Sequence, residues 1–365
     1  MRRKTRSVMV GEVGIGSEFP VRIQSMTNIP IENVDANVEQ ICDLFSHGCE
    51  IVRLAVPKPS SVPYFEKIKN ILRNRGLNIP FVADVHFSPR VAYDCLSVAD
   101  KVRINAGNFA GINANYSEAM ASFSCFFESA NRARVPVRIG VNAGSLSGRI
   151  TSKFGNTALG MWESAKECIM VARDIGFHDL VLSFKASDVN LMLSAYRLAC
   201  SEMDRLDMDY PLHLGVTEAG DQQYARVKSA IGIGGLLIDG IGDTIRVSLT
   251  EDPKNEISVA KDILQCTGAR RFGPEFIACP SCGRTSYDIQ LVLGEVKKIF
   301  SDCGQCLKIA VMGCVVNGLG EAGDADYAII GMPNGKVAIY KNKTCVVPYV
   351  EPKDAPNVLK NLVKS

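Results

Sequence analysis

The chain has 365 residues, which is more than one compact domain usually holds unless that domain is a barrel. Hydrophobic residues make up 47% of the sequence and charged residues 22%, an ordinary balance for a globular protein with a sizeable core. A net charge of +2 argues against binding of nucleic acid by bulk electrostatics, and no apolar run is long enough to cross a bilayer. We therefore expect a soluble, cytoplasmic protein with neither nucleic acid nor a membrane as partner.

From residue 21 to about 268, short β-rich runs alternate with stretches whose apolar residues recur at helical spacing. Three of the predicted helices should end at Gly48, Gly76 and Gly176. Eight strand–helix units of this length predict an α/β fold, a (β/α)8 TIM barrel, over residues 1–268. The predicted strands cover 21–26, 50–56, 79–85, 101–105, 135–142, 179–186, 210–218 and 243–249.

An open, doubly wound sheet is the alternative architecture for the same alternation. It is less favoured because no GxGxxG motif follows the first strand. The run "GEVGIG" (11–16) precedes a strand and is more typical of a turn in an N-terminal hairpin.

After the barrel the pattern changes, and residues 269–365 predict a small α+β domain. A CxxC turn is followed by a helix within 286–300 and by strands within 307–316 and 326–332. A Pro-Asn-Gly turn then leads into a hairpin over 336–347, and a short helix over 355–365 ends the chain.

Polar side chains gather at the C-terminal ends of the predicted barrel strands. In a TIM barrel these ends converge on one face, where active sites are built. Several cations in one pocket repel each other unless an anion binds there, and arginine matches phosphate oxygens bidentately. The pattern predicts a small polyanionic substrate, whereas the alternative is that each arginine pairs locally with a carboxylate. The strand-end residues are Arg53, Asp84, His86, Arg103, Asn105, Arg138, Asn142, Lys185, Glu218, Arg246 and Ser248.

Three of these side chains have more than one interpretation. His86 either contacts the substrate or is a structural residue, and Asp84 could orient it or contact a substrate hydroxyl. Glu218 ends a predicted strand with apolar preceding residues, so it is either a charge-balancing partner or an acid–base group.

Thirteen cysteines are present, and the grouped ones follow the predicted barrel. "CPSC" (279–282) and "CGQC" (303–306) are two CxxC pairs, and Cys314 is followed by Glu321. Two CxxC pairs predict a zinc ribbon, a closed site of four thiolates. The first pair with Cys314 and Glu321 instead predicts an iron–sulfur cluster whose fourth iron has a weaker carboxylate ligand. The spacing alone leaves both hypotheses open.

Taken together, the motifs resemble the 4-hydroxy-3-methylbut-2-enyl diphosphate synthase family of the non-mevalonate isoprenoid pathway. "CPSCGRT" (279–285) and "GCVVNGLGEA" (313–322) are similar to its iron–sulfur domain. The resemblance covers essentially the whole chain in order, in the compact two-domain bacterial form. The matching barrel segments are "QSMTN" (24–28), "DVHF" (84–87), "RINAGN" (103–108), "RIGVNAGSL" (138–146), "KASD" (185–188), "TEAG" (217–220) and "GIGDTIRVSL" (240–249).

This resemblance implies a 4Fe–4S cluster and leaves Cys303 and Cys306 without a role. It also makes Glu218 a proton donor. Leu319 and Ala106 depart from the family, which usually has proline at both positions; the first could loosen the turn that presents Glu321, and the second could shift Asn105. The implied cluster ligands are Cys279, Cys282, Cys314 and Glu321, and the implied substrate contacts are Arg53, Arg103, Asn105, Arg138, Asn142, Lys185, Arg246 and Ser248.

The implied reaction is the reductive ring opening of 2-C-methyl-D-erythritol 2,4-cyclodiphosphate to 4-hydroxy-3-methylbut-2-enyl diphosphate. Flavodoxin or ferredoxin would supply the electrons, since the sequence has no nicotinamide or flavin motif. The family implies a head-to-tail homodimer in which the partner's cluster domain covers each barrel. The rival hypothesis is a barrel enzyme for phosphorylated or pterin-like ligands with a zinc-ribbon interaction module, in which Cys303 and Cys306 are zinc ligands.

Overall fold

The computed structural model describes residues 1–111, 113–301 and 303–364, with the backbone but not the side chain of Asn317. The chain divides into two compact units, Met1–Arg270 and Arg271–Ser365. Within the described residues, no helix is long and apolar enough to cross a membrane.

The first unit is the predicted TIM barrel, preceded by a hairpin. The hairpin pairs β1 (Val8–Val10) with β2 (Val13–Ile15), and Gly11 in its turn has a φ of +56°, which confirms the turn predicted at "GEVGIG". The eight barrel strands that follow are parallel and lie side by side in chain order. They are β3 (Arg22–Met26), β4 (Ile51–Ala55), β5 (Phe81–Asp84), β6 (Lys101–Asn105), β7 (Val137–Asn142), β8 (Leu180–Lys185), β9 (His213–Leu214) and β10 (Thr244–Ile245).

Strand pairing closes the barrel on both sides of β9 and β10. β10 pairs with β3 and β9, while a bridge between Leu182 in β8 and Leu212, just before β9, joins the last two edges. Both β9 and β10 are shorter than predicted. Gly215 directly follows β9, and glycine weakens a strand. Beyond β9 the pairing therefore continues only as single hydrogen bonds, such as the one from Arg246 N to Leu214 O at 2.9 Å.

Helices pack around the barrel, and their ends follow the expected capping chemistry. The first helix ends at Ser46, and Gly48 two residues later has a φ of +100° and donates its N–H to Phe45 O at 2.9 Å. The fourth begins with a capping box formed by Asn115 and Glu118. The helices are α1 (Val34–Ser46), α2 (Val62–Asn74), α3 (Pro89–Cys95), α4 (Tyr116–Ala133), α5 (Gly148–Phe154), α6 (Ala158–Asp174), α7 (Val189–Arg205), α8 (Gln222–Ile238) and α9 (Pro253–Cys266).

The hairpin fills the end of the barrel opposite the predicted active face. Apolar side chains from the hairpin pack against Ile51, Val82 and Val181, which point inward near the starts of their strands. The chain before the hairpin is tied to the last strand, because Asp243 accepts hydrogen bonds from Arg2 and from Thr5 Oγ1. The barrel is therefore sealed at this end and has its polar interior at the other.

The second unit contains a five-stranded sheet with helices on both faces. Strands β11 (Glu275–Ala278), β12 (Lys308–Met312) and β13 (Tyr327–Gly331) are parallel, and β14 (Val337–Lys341) and β15 (Thr344–Val350) continue the sheet antiparallel. The helices are α10 (Ile289–Phe300), α11 (Val315–Glu321) and α12 (Ala355–Lys364). The apolar stripes of α10 and α12 pack on one face, and α11 lies with the other. Ser365, the last residue of the predicted final helix, lies outside the described residues.

Two elements of this unit differ from the prediction. Strand β11 was not predicted, because its short run lies directly before the CxxC motif. The strand predicted over 307–316 ends at Met312, and Val315 begins helix α11. The two valines have high β propensity, but packing against the sheet decides the outcome: Val315 and Ala322 contact the apolar face of β12 and β13.

Candidate active site

Five cationic side chains meet at the C-terminal end of the barrel. Four of them lie on inward-facing positions of β4, β6, β7 and β8 and are buried, and the fifth directly follows β10 and is half-buried. Their charges are close enough for each to weaken the proton affinity of its neighbours. They are Arg53, Arg103, Arg138, Lys185 and Arg246.

Two carboxylates partly offset this charge. Asp84 lies 3.0 Å from Arg103 Nη1 and 3.7 Å from Arg53 Nε, and Glu256 of α9 lies 3.1 Å from Arg246 Nη2. Burial raises the pKa of Asp84, but the positive charges of the arginines outweigh it and hold that pKa well below its ordinary value. Five formal cations against two carboxylates leave an excess of three positive charges among the described residues.

The uncompensated charge is centred on Arg138 and Lys185. Arg138 is 1% exposed, and its Nε and Nη1 have no hydrogen-bond partner within the described part of the chain. Burial, reinforced by four neighbouring arginines, lowers the pKa of Lys185 well below its ordinary value. A polyanion would supply the missing hydrogen bonds and the missing negative charge.

His86 is neutral at this site. Burial, together with the charge of Arg103, lowers its pKa from 6.5 to about 4, although Asp84 acts in the opposite direction. The Arg103 guanidinium donates a hydrogen bond to Nε2 of His86, which requires an unprotonated acceptor. His86 therefore orients Arg103 together with Asp84.

The two asparagines have different partners. Asn105 holds its own loop, donating to Ser145 Oγ at 2.8 Å and accepting from Gly107 N at 2.9 Å. Asn142 accepts from Arg103 Nη2 at 3.4 Å. Ala106 donates its N–H to Gly140 O at 3.1 Å, a bond that a proline there could not make. The departure from the family at this position thus extends the pairing of β6 with β7.

Glu218 and Ser248 lie in loops beyond the strands, so the prediction that each ends a strand was wrong. Glu218 is exposed, four residues past the end of β9, and has a left-handed backbone with a φ of +51°. Ser248 is half-buried, three residues past β10. Regular pairing stops early on both strands, which releases these residues into the loops.

Several residues of the site were missed by sequence reasoning. Glu256 lies on helix α9, whereas the predicted site residues were all sought at the ends of strands. Met26 has an apolar side chain, but its sulfur lies 3.1 Å from Arg53 Nε. Gly140 and Gly215 make room: a Cβ would lie 2.5 Å from Arg103 Nε at the first and 2.7 Å from Lys185 Nζ at the second. A glycine within a predicted strand is therefore a sequence signal that another side chain passes close to the backbone at that position.

In the second unit, one cavity of about 340 Å³ brings together the predicted metal ligands. Cys279 follows β11, and the Gly313 N–H donates a hydrogen bond to its sulfur at 3.2 Å, which fixes the position of that sulfur at the cavity. Cys282 is held by Thr285, whose N–H donates to its carbonyl at 2.9 Å. The predicted ligands lining the cavity are Cys279, Cys282, Cys314 and Glu321.

The donor set of this cavity suits an iron–sulfur cluster better than a single ion. Among the described residues, no three His, Cys, Asp or Glu side chains are placed to share one metal ion. A zinc ribbon needs four thiolates on one ion, whereas each ligand of a cubane cluster binds a different iron. Cys303 and Cys306 are absent from the residues that line the cavity.

Two family models together match most of the chain. The GcpE TIM-barrel domain matches residues 5–261, and the GcpE protein C-terminal domain matches residues 275–365. The chain belongs to the GcpE family.

Curated relatives in this family share much of the sequence. A 4-hydroxy-3-methylbut-2-en-1-yl diphosphate synthase (ferredoxin) from Prochlorococcus marinus is 44% identical over 379 residues, covering 100% of this chain and 93% of that protein. A protein of the same name from Synechococcus sp. (strain CC9311) is 45% identical over 361 residues, covering 94% and 89%.

A comparison of structures supports the barrel alone. An N-acetylneuraminic acid (sialic acid) synthetase from Leptospira borgpetersenii serovar Hardjo-bovis, in complex with citrate, aligns with a TM-score of 0.50 and 11% identity. The alignment covers 73% of this chain and 92% of that one. At this identity the similarity shows a shared fold and carries no function.

Proposed function

We propose that this chain is an oxidoreductase that converts 2-C-methyl-D-erythritol 2,4-cyclodiphosphate to 4-hydroxy-3-methylbut-2-enyl diphosphate. The observation that carries the proposal is the excess of buried positive charge at the barrel mouth, in a chain about 44% identical to synthases of that product. Two electrons enter, the ring C–O bond and one C–O bond to a hydroxyl break, a C=C bond forms, and the hydroxyl leaves as water after taking a proton.

In this proposal the barrel binds and orients the diphosphate. Arg138 bonds the phosphate oxygens directly, since its Nε and Nη1 lack other partners among the described residues, and Lys185 lies close to it on the next strand. Asp84 and His86 fix the guanidinium of Arg103, so the donor arrives already oriented. The set of substrate contacts is Arg53, Asp84, His86, Arg103, Asn105, Arg138, Asn142, Lys185, Arg246 and Ser248.

The second unit holds the cofactor in this proposal. Cys279, Cys282, Cys314 and Glu321 are the residues that would bind a 4Fe–4S cluster, which supplies electrons one at a time when bound. The Gly313 N–H donates a hydrogen bond to the sulfur of Cys279 and holds it in place. Glu321, at the end of α11, offers the weakest ligand of the four and is the one that exchanges most readily.

Glu218 is the proposed proton donor. Its loop follows β9, and a hydrogen bond from Thr250 Oγ1 to Gly220 O at 3.2 Å links that loop to the one after β10. The left-handed backbone at Glu218 is costly for a residue other than glycine and is typical of functional sites.

The electron donor and the assembly complete the proposal. The names of the relatives specify ferredoxin, and we infer that a small iron–sulfur carrier of this class, or a flavodoxin, reduces the chain. We also propose a head-to-tail homodimer in the cytoplasm, in which the cluster unit of one protomer serves the barrel of its partner.

The test is the metal content of protein purified without oxygen, followed by turnover with reduced ferredoxin. About four irons and four sulfides per chain, with turnover of the cyclic diphosphate, are expected. Cys314→Ser should lose iron, while Cys345→Ser, an exposed cysteine of the same unit outside the cavity, should keep it. One zinc per chain with no sulfide would overturn the proposal and make Cys303 and Cys306 zinc ligands.

A further inference from the structure

A second layer of polar residues lies inside the barrel, beneath the cationic mouth. Side chains alternate along a strand, so a residue two positions before an inward-facing one also faces inward. Each member of the layer stands two positions before Met26, Arg103, Lys185, Gly215 or Arg246. The inner layer consists of Gln24, Lys101, Ser183, His213 and Thr244, all at most 2% exposed.

This composition is unusual for the interior of a TIM barrel, which branched apolar residues normally fill. The Nζ of Lys101, both polar atoms of Gln24 and Nε2 of His213 have no hydrogen-bond partner among the described residues. His213 uses only Nδ1, which lies 2.7 Å from Thr244 Oγ1. Nothing in the proposed reaction uses these groups.

Lys101 is the most costly member of the layer. It is completely buried, and no carboxylate of the described residues lies within ion-pair distance of it. Asp84 on the neighbouring strand is committed to Arg103 at 3.0 Å. A buried ammonium without a counter-ion is strongly unfavourable, whereas a neutral amine loses much less on burial.

Among the described residues that face Lys101 from the surrounding strands, Asp84 is anionic but is paired with Arg103 and Arg53, and the others are cationic or neutral. Arg138 on β7 and Arg53 on β4 act directly on its charge, and His213 on β9 interacts with it. Burial, followed by these two arginines, lowers the pKa of Lys101 well below its ordinary value. The charged and titratable groups that surround it at the mouth are Arg53, Asp84, His86, Arg103, Arg138, Lys185 and Arg246.

We propose that Lys101 is uncharged while the mouth is empty and takes up a proton from solvent when a polyanion binds there. The inference rests on the polyanion site of the proposed function. Lys101 lies one strand step, roughly 7 Å, below the mouth, so at an effective dielectric constant of about 20 two negative charges above it raise its proton affinity by roughly a thousandfold or more. Lys101 is then a positioning residue whose charge appears only in the complex.

Because proton uptake and anion binding are linked, the coupling can also be measured as a pH dependence of the affinity for the anion. If one proton is taken up per anion, affinity for the anion falls by about tenfold per pH unit as the pH rises through the coupled range. Lys185 and the two histidines also titrate near the mouth, so the dependence must be assigned to Lys101 by substitution. Lys101→Met keeps an unbranched side chain as far as the ε carbon and removes the amine.

The experiment uses methanedisulfonate, a diphosphate-like dianion that does not titrate near neutral pH. Protein labelled with ¹³C at the lysine ε carbon is observed by NMR, and the Lys101 resonance is the one missing in Lys101→Met. We expect the shift of a neutral amine without the anion and of an ammonium with it. Lys69, buried and paired with Asp100 at 2.7 Å, is the internal reference and should not change.

Calorimetry in buffers of different ionisation enthalpy gives a second measurement. Wild-type protein should take up close to one proton more per bound anion than Lys101→Met. If Lys101→Met does not fold, Lys101→Gln, which keeps a polar end on the side chain, takes its place for the assignment, and absence of proton uptake by the wild type overturns the coupling in either case. A charged Lys101 in the free protein also overturns it, by showing that ordered water solvates the amine.

The possible results distinguish failure of the proton coupling at Lys101 from failure of the proposed reaction. If the disulfonate does not bind at all, the coupling falls together with the polyanion site. If coupling is observed but the cyclic diphosphate is not turned over, only the proposed reaction fails.

Discussion

Arg138 shows how function opposes stability at a single residue. It is almost completely buried at the barrel mouth, surrounded by other cations, and two of its nitrogens lack partners among the described residues. Burial, with the charges of Arg53 and Arg103, lowers the pKa of Arg138 well below its ordinary value. A group this unfavourable to the free protein is consistent with the proposed role of Arg138 in binding the diphosphate.

Arg138→Met should therefore separate binding from stability. Loss of a buried, charge-assisted contact to the diphosphate should lower kcat/KM by at least about a hundredfold. Relief of an unpaired buried charge should leave the free energy of unfolding unchanged or raise it by about 1–3 kcal/mol. Steady-state kinetics and urea denaturation measure the two effects. A matched control is Arg197→Met, an exposed arginine paired with Asp239, which should change neither by much.

His86 gives the site a defined acid sensitivity. Its pKa is about 4 in the folded protein and 6.5 in an unfolded chain, so the unfolded state binds more protons between these values. The contribution to stability is complete above pH 6.5 and is lost as the pH falls toward 4. His86→Gln should flatten this part of the stability profile. Urea midpoints followed by fluorescence of Trp162, the one tryptophan in the sequence, measure it, and an unchanged profile would contradict the assignment.

At the scale of elements, α11 is a short helix that spans the distance between two proposed ligands. Cys314 caps its start and Glu321 is its last residue. The helix lies so close to β12 and β13 that a Cβ at Gly318 would be 2.8 Å from Ile330 Cγ2 and 3.2 Å from Met312 Cβ. A Cβ at Gly320, on the same helix, would meet nothing within 4 Å. Leu319, where the family usually has proline, lies between these glycines.

The two glycines form a matched pair for substitution. Gly318→Ala should push α11 away from the sheet, cost about 1–3 kcal/mol and lower the iron content of the purified protein. Gly320→Ala should be neutral or stabilise the helix by up to about 1 kcal/mol, with full iron content. Thermal unfolding by circular dichroism and iron analysis provide the measurements. Equal losses in both variants would mean that the close contact at Gly318 is unimportant.

Elements with a strong periodic pattern could be predicted from the sequence, and those decided by packing could not. β6 was predicted with the observed ends, and the glycines after α1, α2 and α6 marked the helix ends correctly. The strand predicted over 307–316 ran into the first two residues of α11, because two adjacent valines have a local preference that contacts with the sheet override. Glu256 was missed for a related reason: only the closed barrel brings its helix to Arg246.

At the scale of the whole molecule, the proposed head-to-tail dimer assigns the two halves of each active site to different chains. The barrel residues come from one protomer and the cluster ligands from its partner. Such an assembly allows two inactive variants to complement each other. A site built within one chain does not.

Mixing Arg138→Met with Cys314→Ser should therefore restore activity. After the subunits exchange, half of the dimers are mixed, and each mixed dimer has one intact barrel facing one intact cluster unit. Roughly a quarter of wild-type turnover is expected. As a control, a chain that carries both substitutions should stay inactive when it is treated in the same way, because its dimers contain neither an intact barrel nor an intact cluster unit. No recovery in protein shown to have exchanged subunits would count against the head-to-tail arrangement.

The hydrogen bonds that Arg2 and Thr5 donate to Asp243 determine when the barrel can be completed during synthesis. Arg2 and Thr5 leave the ribosome about 240 residues before their partner, Asp243, is made. At 5–20 residues per second, the N-terminal segment waits roughly 12–50 s for it. During that time the valines of the hairpin are exposed to other nascent chains, and a holding chaperone that binds this segment would protect the barrel until its last strand is made.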